Sequence, residues 1–150
     1  MIKRIYNQEE IEAVLHKFST SLQSLTQGEE FRKEMAIKFL KYGNVLVVEK
    51  SEGDICGFVA YYMNDFISRE AYISMIAVLP PYRKNGYGKS LLDSVIQDAR
   101  KKEMKSVCLE VDKSNNKAID FYRENGFYVI KATERSNFMK YNIMENEKNG

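Results

Sequence analysis

The chain has 150 residues, with 23 Lys and Arg against 21 Asp and Glu, a formal net charge of +2, 44% apolar residues and 29% charged residues. That balance excludes an intrinsically disordered chain, and it excludes nucleic-acid binding driven by bulk charge, because so small a basic excess matters only where it is concentrated. One histidine, His16, and two cysteines, Cys56 and Cys108, without C-x-x-C spacing, argue against a metal centre, so no metal is expected. The length fits one domain over residues 1–150, with a polar tail from Glu145 expected to fray. No apolar h-region follows the first basic residues and no apolar stretch approaches the roughly 20 residues of a membrane span, so a cytoplasmic location without membrane or nucleic-acid partners is expected.

Taken in order, Asn7 followed by Glu10 is a capping-box variant, and Ile11, Val14, Leu15, Phe18 and Leu22 recur at helical spacing. A polar break at Ser24 to Glu29 leads to Phe31, Met35, Ala36, Phe39 and Leu40 on one face of a second helix, with Gly43 as its left-handed stop. The period then changes. Val45 to Val48 is a β-branched run, Ser51 to Asp54 a turn and Ile55 to Met63 the returning strand of a hairpin. After a break at Asn64 to Glu70, Tyr72 to Val78 forms another strand. Leu91, Leu92, Val95, Ile96 and Ala99 mark an amphipathic helix, Ser106 to Val111 a buried strand, Ala118 to Tyr122 a further helix and Phe127 to Ala132 a strand, with Phe138 to Met144 returning antiparallel. Strand–helix alternation requires parallel pairing in part of the sheet, so the expected class is α/β, a mixed sheet with helices on both faces.

Pro80 to Ser90 joins a strand to a helix and combines Gly86 and Gly88 with Arg83, Lys84 and Lys89. A glycine-rich turn of this kind exposes backbone N–H groups at the positive end of a helix dipole, where phosphate binds. A P-loop matches at Gly88-Lys89-Ser90 but needs glycine where Arg83 stands; a dinucleotide fingerprint matches at Gly86 and Gly88 but needs glycine where Leu91 stands. Arg83-Lys84-Asn85-Gly86-Tyr87-Gly88 meets a third pattern, [QR]-x-x-G-x-[GA]. Downstream, Asn115 to Phe127 reads N-x-x-A-x-x-[FL]-Y-x-x-x-G-F, and upstream Ile76-Ala77-Val78 leads through Pro80 to Tyr82-Arg83. In these three segments, over about residues 71 to 128, the chain resembles the GNAT superfamily of acyl-CoA-dependent N-acetyltransferases.

The resemblance implies a GNAT-like fold, whose central mixed sheet is mostly antiparallel, and a set of roles. Acetyl-CoA is the co-substrate. Its pyrophosphate is held by the backbone of Arg83, Lys84, Asn85, Gly86, Tyr87, Gly88 and Lys89. Its pantetheine arm pairs with Ile76, Ala77 and Val78, and Asn115 hydrogen-bonds the arm from the other side. Tyr122 stands near the sulfur. The chemistry agrees: acetyl-CoA is already activated, so the protein must orient an amine, stabilise the oxyanion, for which the Val78 N–H is a candidate donor, and manage two protons. A thiolate with a reference pKa of about 8.5 can be protonated by a tyrosine near 10, which makes Tyr122 the candidate general acid.

The base stays open. Many members of the family place a glutamate in the strand before the glycine turn, but residues 71 to 75 read Ala-Tyr-Ile-Ser-Met. Glu70 is one catalytic candidate, Glu110 on the next strand another, and Tyr72 with Ser74 could hold a water. His16 reads as a surface residue and Cys56 and Cys108 as small buried hydrophobes. Tyr61, Tyr62 and Phe66 read either as core or as the wall of an acceptor pocket. The acceptor is read as a small-molecule amine, with a protein N-terminus or lysine as the alternative within the same chemistry. A non-catalytic acyl-CoA-binding domain is the alternative outside it. A monomer and a homodimer are equally compatible with the sequence.

Overall fold

The computed structural model describes residues 1–144, so the fraying expected from Glu145 onward lies outside the described residues. Among the described residues there are seven strands: β1 (Ile2–Ile5), β2 (Gly43–Glu49), β3 (Ile55–Tyr62), β4 (Glu70–Val78), β5 (Ser106–Asp112), β6 (Tyr128–Ala132) and β7 (Ser136–Asn142). The same residues hold four α-helices: α1 (Gln8–Lys17), α2 (Glu29–Tyr42), α3 (Tyr87–Lys101) and α4 (Asn116–Glu124). The strands lie in the order β1-β2-β3-β4-β5-β7-β6. Pairs β1–β2, β2–β3, β5–β7 and β6–β7 are antiparallel and β4–β5 is parallel, so the sheet is mixed and mostly antiparallel as expected. β5 and β6 are not neighbours, because β7 enters between them.

Two compact units divide the chain, the first made of residues 1–62 and 75–94, the second of 63–74 and the described residues from 95 on. The division falls inside β4 and inside α3.

In the first unit, the Oδ1 of Asn7 accepts the N–H groups of Glu9 at 2.8 Å and Glu10 at 3.2 Å, which starts α1 where the capping pattern placed it. Ile11, Val14, Leu15 and Phe18, joined by Ala36 and Phe39 of α2, pack onto Val45 and Val47 of β2 and Phe58 and Ala60 of β3. The alternate residues Leu46, Val48, Val59 and Tyr61 are buried as well, which is why these strands read as unbroken apolar runs. On that second face Leu91 of α3 descends onto Gly57: a Cβ there would lie 3.3 Å from the Leu91 Cδ1 and 3.3 Å from the Ala77 carbonyl oxygen.

Two local expectations fail in this unit, and one element was missed. Strand β1 was not read from the sequence. Leu40, expected on the buried face of α2, is 43% exposed. Gly43, expected as a left-handed stop, has φ −122° and is simply extended, so α2 runs directly into β2. Glycine is needed there for space, since a Cβ would stand 3.1 Å from both the Tyr61 carbonyl oxygen and the Tyr62 ring.

In the second unit, Val107, Leu109 and Val111 of β5 and Met139 of β7 are buried on one face, with Ile119 and Tyr122 of α4 also buried. A chain of rings links the helix to the sheet, Tyr122 to Phe127 at 5.6 Å and Phe127 to Tyr141 at 5.5 Å between centroids. The other face carries Tyr72, Cys108, Glu110, Phe138 and Lys140, all half-buried or exposed. Cys56 is buried as expected, whereas Cys108 is only half-buried, because it shares this open face with Glu110.

Candidate functional site

The glycine turn is built by short-range bonds of its own. Pro80 to Tyr82 form a single 3₁₀ turn, after which the Arg83 Nε donates to the Val78 carbonyl at 3.0 Å and folds the guanidinium back onto the end of β4. The Asn85 Nδ2 donates to the carbonyls of Tyr82 at 3.0 Å and Arg83 at 3.2 Å. Lys84 at φ 66° and Gly86 at φ 81° adopt left-handed backbone, and α3 closes its first turn when the Ser90 N–H donates to the Gly86 carbonyl at 3.0 Å. The N–H groups of Tyr87, Gly88 and Lys89 therefore precede that turn and have no carbonyl within the helix to meet. With the positive end of the helix dipole behind them, they form a backbone cradle for an anion.

The cations of the turn are not equivalent. Lys89 holds Asp93 at 2.9 Å and Arg83 is bound to Val78, while Lys84 has no ion pair or side-chain hydrogen bond among the described residues. Ile76, Ala77 and Val78, read as the strand that receives the pantetheine arm, are half-buried.

In the second unit, Asn115 is the N-cap of α4, its Oδ1 accepting the Ala118 N–H at 3.2 Å, which leaves its amide NH₂ as the group able to donate outward. Tyr122 lies 8% exposed in the same helix, its ring 5.3 Å from that of Phe121, and burial pushes its hydroxyl up to about 12. The hydroxyl is thus fully protonated at neutral pH.

The two carboxylates weighed as bases differ. Glu70 is bound to Lys140, Oε1 to Nζ 2.8 Å, and this bond raises the lysine above its ordinary value. Glu110 is exposed and forms no ion pair among the described residues. Burial, and then the charge of Glu110, raise the Tyr72 hydroxyl, so Tyr72 and Glu110 share one electrostatic environment. Cys108, directly opposite Tyr72 and Lys140 in the ladder, is raised by burial and by Glu70. Lys140 escaped the sequence reading because only the β5–β7 register, Cys108 opposite Lys140, brings it here. His16 is exposed and Tyr61 is core, while Phe66 is 69% exposed.

Residues 9–127 match the profile described as Acetyltransferase (GNAT) family, and the chain belongs to that family. Among curated relatives, it is 35% identical over 79 residues to the ribosomal protein bS18-alanine N-acetyltransferase of Escherichia coli strain K12, a match covering 53% of this chain and 52% of the relative. The chain thus spans about half the length of the curated relatives it matches. Among solved structures, Ard1 of Thermoplasma volcanium is similar at 26% identity and a TM-score of 0.74, covering 95% of this chain and 96% of that one. The PaiA N-acetyltransferase of Thermoplasma acidophilum, solved in complex with coenzyme A, shares the fold at 17% identity and a TM-score of 0.74, covering 95% and 99%. No helix among the described residues is long and apolar enough to cross a membrane, and no group of three or more His, Cys, Asp or Glu there could hold a metal ion.

Proposed function

We propose that this chain transfers the acetyl group of acetyl-CoA to a primary amine by direct attack. The observation that carries the reading is the glycine turn, where the N–H groups of Tyr87, Gly88 and Lys89 stand open at the start of α3 with Lys84 beside them. Residues 83–89 bind the pyrophosphate, Ile76 to Val78 offer backbone groups to the amide-bearing arm as an added strand would, and the Asn115 amide donates to that arm. The Val78 N–H serves the oxyanion.

Tyr122 is the general acid. Its hydroxyl near 12 is a weak acid beside a thiolate of reference pKa about 8.5, and burial raises the proton affinity of a thiolate formed next to it as well, which narrows that gap. For the base the geometry favours Glu110, with Tyr72 beside it, over Glu70. A carboxylate held at 2.8 Å by a lysine cannot take a proton without breaking that pair, whereas Glu110 has no such partner.

The acceptor was read from the sequence as a small molecule. The Escherichia coli relative, named for a ribosomal protein alanine, supports a protein acceptor instead. The test is acetyl-CoA with two panels, small primary amines and peptides beginning with alanine, following free thiol and the added acetyl mass. We expect thiol release that depends on acceptor, reduced about 10²-fold or more by Glu110→Gln and within a few-fold of wild type in Glu70→Gln. Tight coenzyme binding without thiol release across both panels identifies a non-catalytic binding domain. The reverse ranking of the two glutamine variants returns the base to Glu70.

A further inference from the structure

A cavity of about 370 Å³ lies in the first unit, under α1 where β1 and β2 reach the hairpin joining β2 to β3, and none of residues 83–89 lines it. Its floor is apolar, formed by Ile5, Val14, Val47 and Ile55 with Ala13 at the side. Its volume is at the lower end of the range of small-ligand sites, about 300–1,000 Å³, which is room for one small metabolite.

The rim decides the ligand's charge. Lys3 is bound to Glu49 at 3.0 Å, and the same Oε2 accepts the Gly53 N–H at 3.2 Å, so this pair is satisfied internally. Glu10, Lys17 and Glu52 also line the rim, and none of the three has an ion pair among the described residues. With Lys3 and Glu49 paired, the remaining rim charges are Glu10, Glu52 and Lys17, a net negative set that does not favour a polyanion, so the cavity does not duplicate the coenzyme cradle. A hydrophobic molecule without charge uses the floor and leaves the rim unanswered. A molecule with an ammonium, a carboxylate and an apolar body answers all three surfaces at once: the ammonium meets Glu52 together with Glu10, the carboxylate meets Lys17, and the side chain covers Ile5, Val47 and Ile55.

We infer that this cavity is a binding site for a zwitterionic α-amino acid with an apolar side chain. It is independent of the acetyl-transfer reading, since it shares no residue with that machinery.

The test titrates the full chain, without acetyl-CoA, with L-leucine and L-phenylalanine and follows backbone amides by NMR. N-acetyl-leucine, which lacks the ammonium, and leucinamide, which lacks the carboxylate, serve as controls. The expected result is saturable shifts in residues 10–17 and 47–55, with binding weakened about tenfold or more for each control and in each of Lys17→Glu and Glu52→Lys, since a charged hydrogen bond is worth about 1.5–3 kcal/mol and about 1.4 kcal/mol is tenfold. Unchanged amide shifts elsewhere show that the variants keep the fold. The inference is overturned by the absence of saturable shifts at millimolar amino acid, by equal binding of leucinamide, which makes this an amphipathic-amine site, or by shifts confined to the open face of β5 and β7. None of these outcomes bears on whether the chain acetylates amines.

Discussion

The hydroxyl of Tyr62 is buried against α2 without a hydrogen-bond partner among the described residues, while its ring packs on Phe39 at 5.7 Å and under the Lys38 ammonium at 5.7 Å. A buried donor left unanswered costs on the order of 1–3 kcal/mol, and the ring contacts do not need the oxygen. Tyr62→Phe is therefore expected to stabilise the fold by about 1 kcal/mol, which raises Tm by about 2–4 °C for a chain of this size, as thermal melts will show. The same burial pushes the Tyr62 hydroxyl, like that of Tyr122, up to about 12. In the unfolded chain both ionise near 10, so the folded state holds these protons more tightly. The resulting contribution is complete below about pH 10 and is lost as pH rises toward 12, so Tm should fall over that interval, and less steeply in Tyr62→Phe.

At the scale of the elements, the end of β4 depends on what β3 leaves open. A Cβ at Gly57 meets the Ala77 carbonyl oxygen, the Val78 Cγ2 and the Leu91 Cδ1, each at 3.3 Å, and backbone cannot yield as a flexible side chain does. Gly57→Ala should destabilise by about 1–3 kcal/mol, read from the denaturant midpoint, and should weaken acetyl-CoA binding because it displaces Ala77 and Val78. Gly86→Ala separates the two effects. At φ 81° with nothing within 4 Å of its Cβ, it distorts only the turn, at a cost on the order of 1–3 kcal/mol, and should weaken coenzyme binding while leaving the core intact.

Much of this layer was legible. The Asn7 cap, the 3.6-residue pattern of α1 and the apolar runs of β2 and β3 each state their element locally. What was not legible depends on distant partners. Strand β1 is four residues with Lys3 and Arg4 at its centre, and it exists because Ile2 to Ile5 pair with Val48 to Val45. Gly43 was misread because a helix-ending glycine looks the same whether it supplies a left-handed turn or makes room for Tyr62. Of the candidate site, the glycine turn and Tyr122 were visible as motifs. The Glu70–Lys140 pair, which separates the two base candidates, was hidden in the β5–β7 register.

For the whole molecule, a net charge of +2 says little until the cations are placed. Lys89 shares its charge with Asp93, while Arg83 is bound only to a neutral carbonyl and Lys84 to no side chain among the described residues, so on the proposed function these two carry most of the attraction for a polyphosphate. Coenzyme affinity should therefore weaken with salt, and Lys84→Ala should flatten that dependence in calorimetric titrations. Bound coenzyme at about 100 times its Kd should stabilise the fold by about 2.7 kcal/mol, a shift readable in thermal melts. On the proposed function, one chain both holds acetyl-CoA and protonates its departing thiolate. The most direct test of that claim measures turnover and coenzyme Kd side by side in wild type and Tyr122→Phe, where the ring contacts to Phe121 and Phe127 remain. The account predicts kcat lowered about 10²–10⁴-fold with Kd within about twofold of wild type; equal turnover in the two proteins, with the same acceptor, would contradict it.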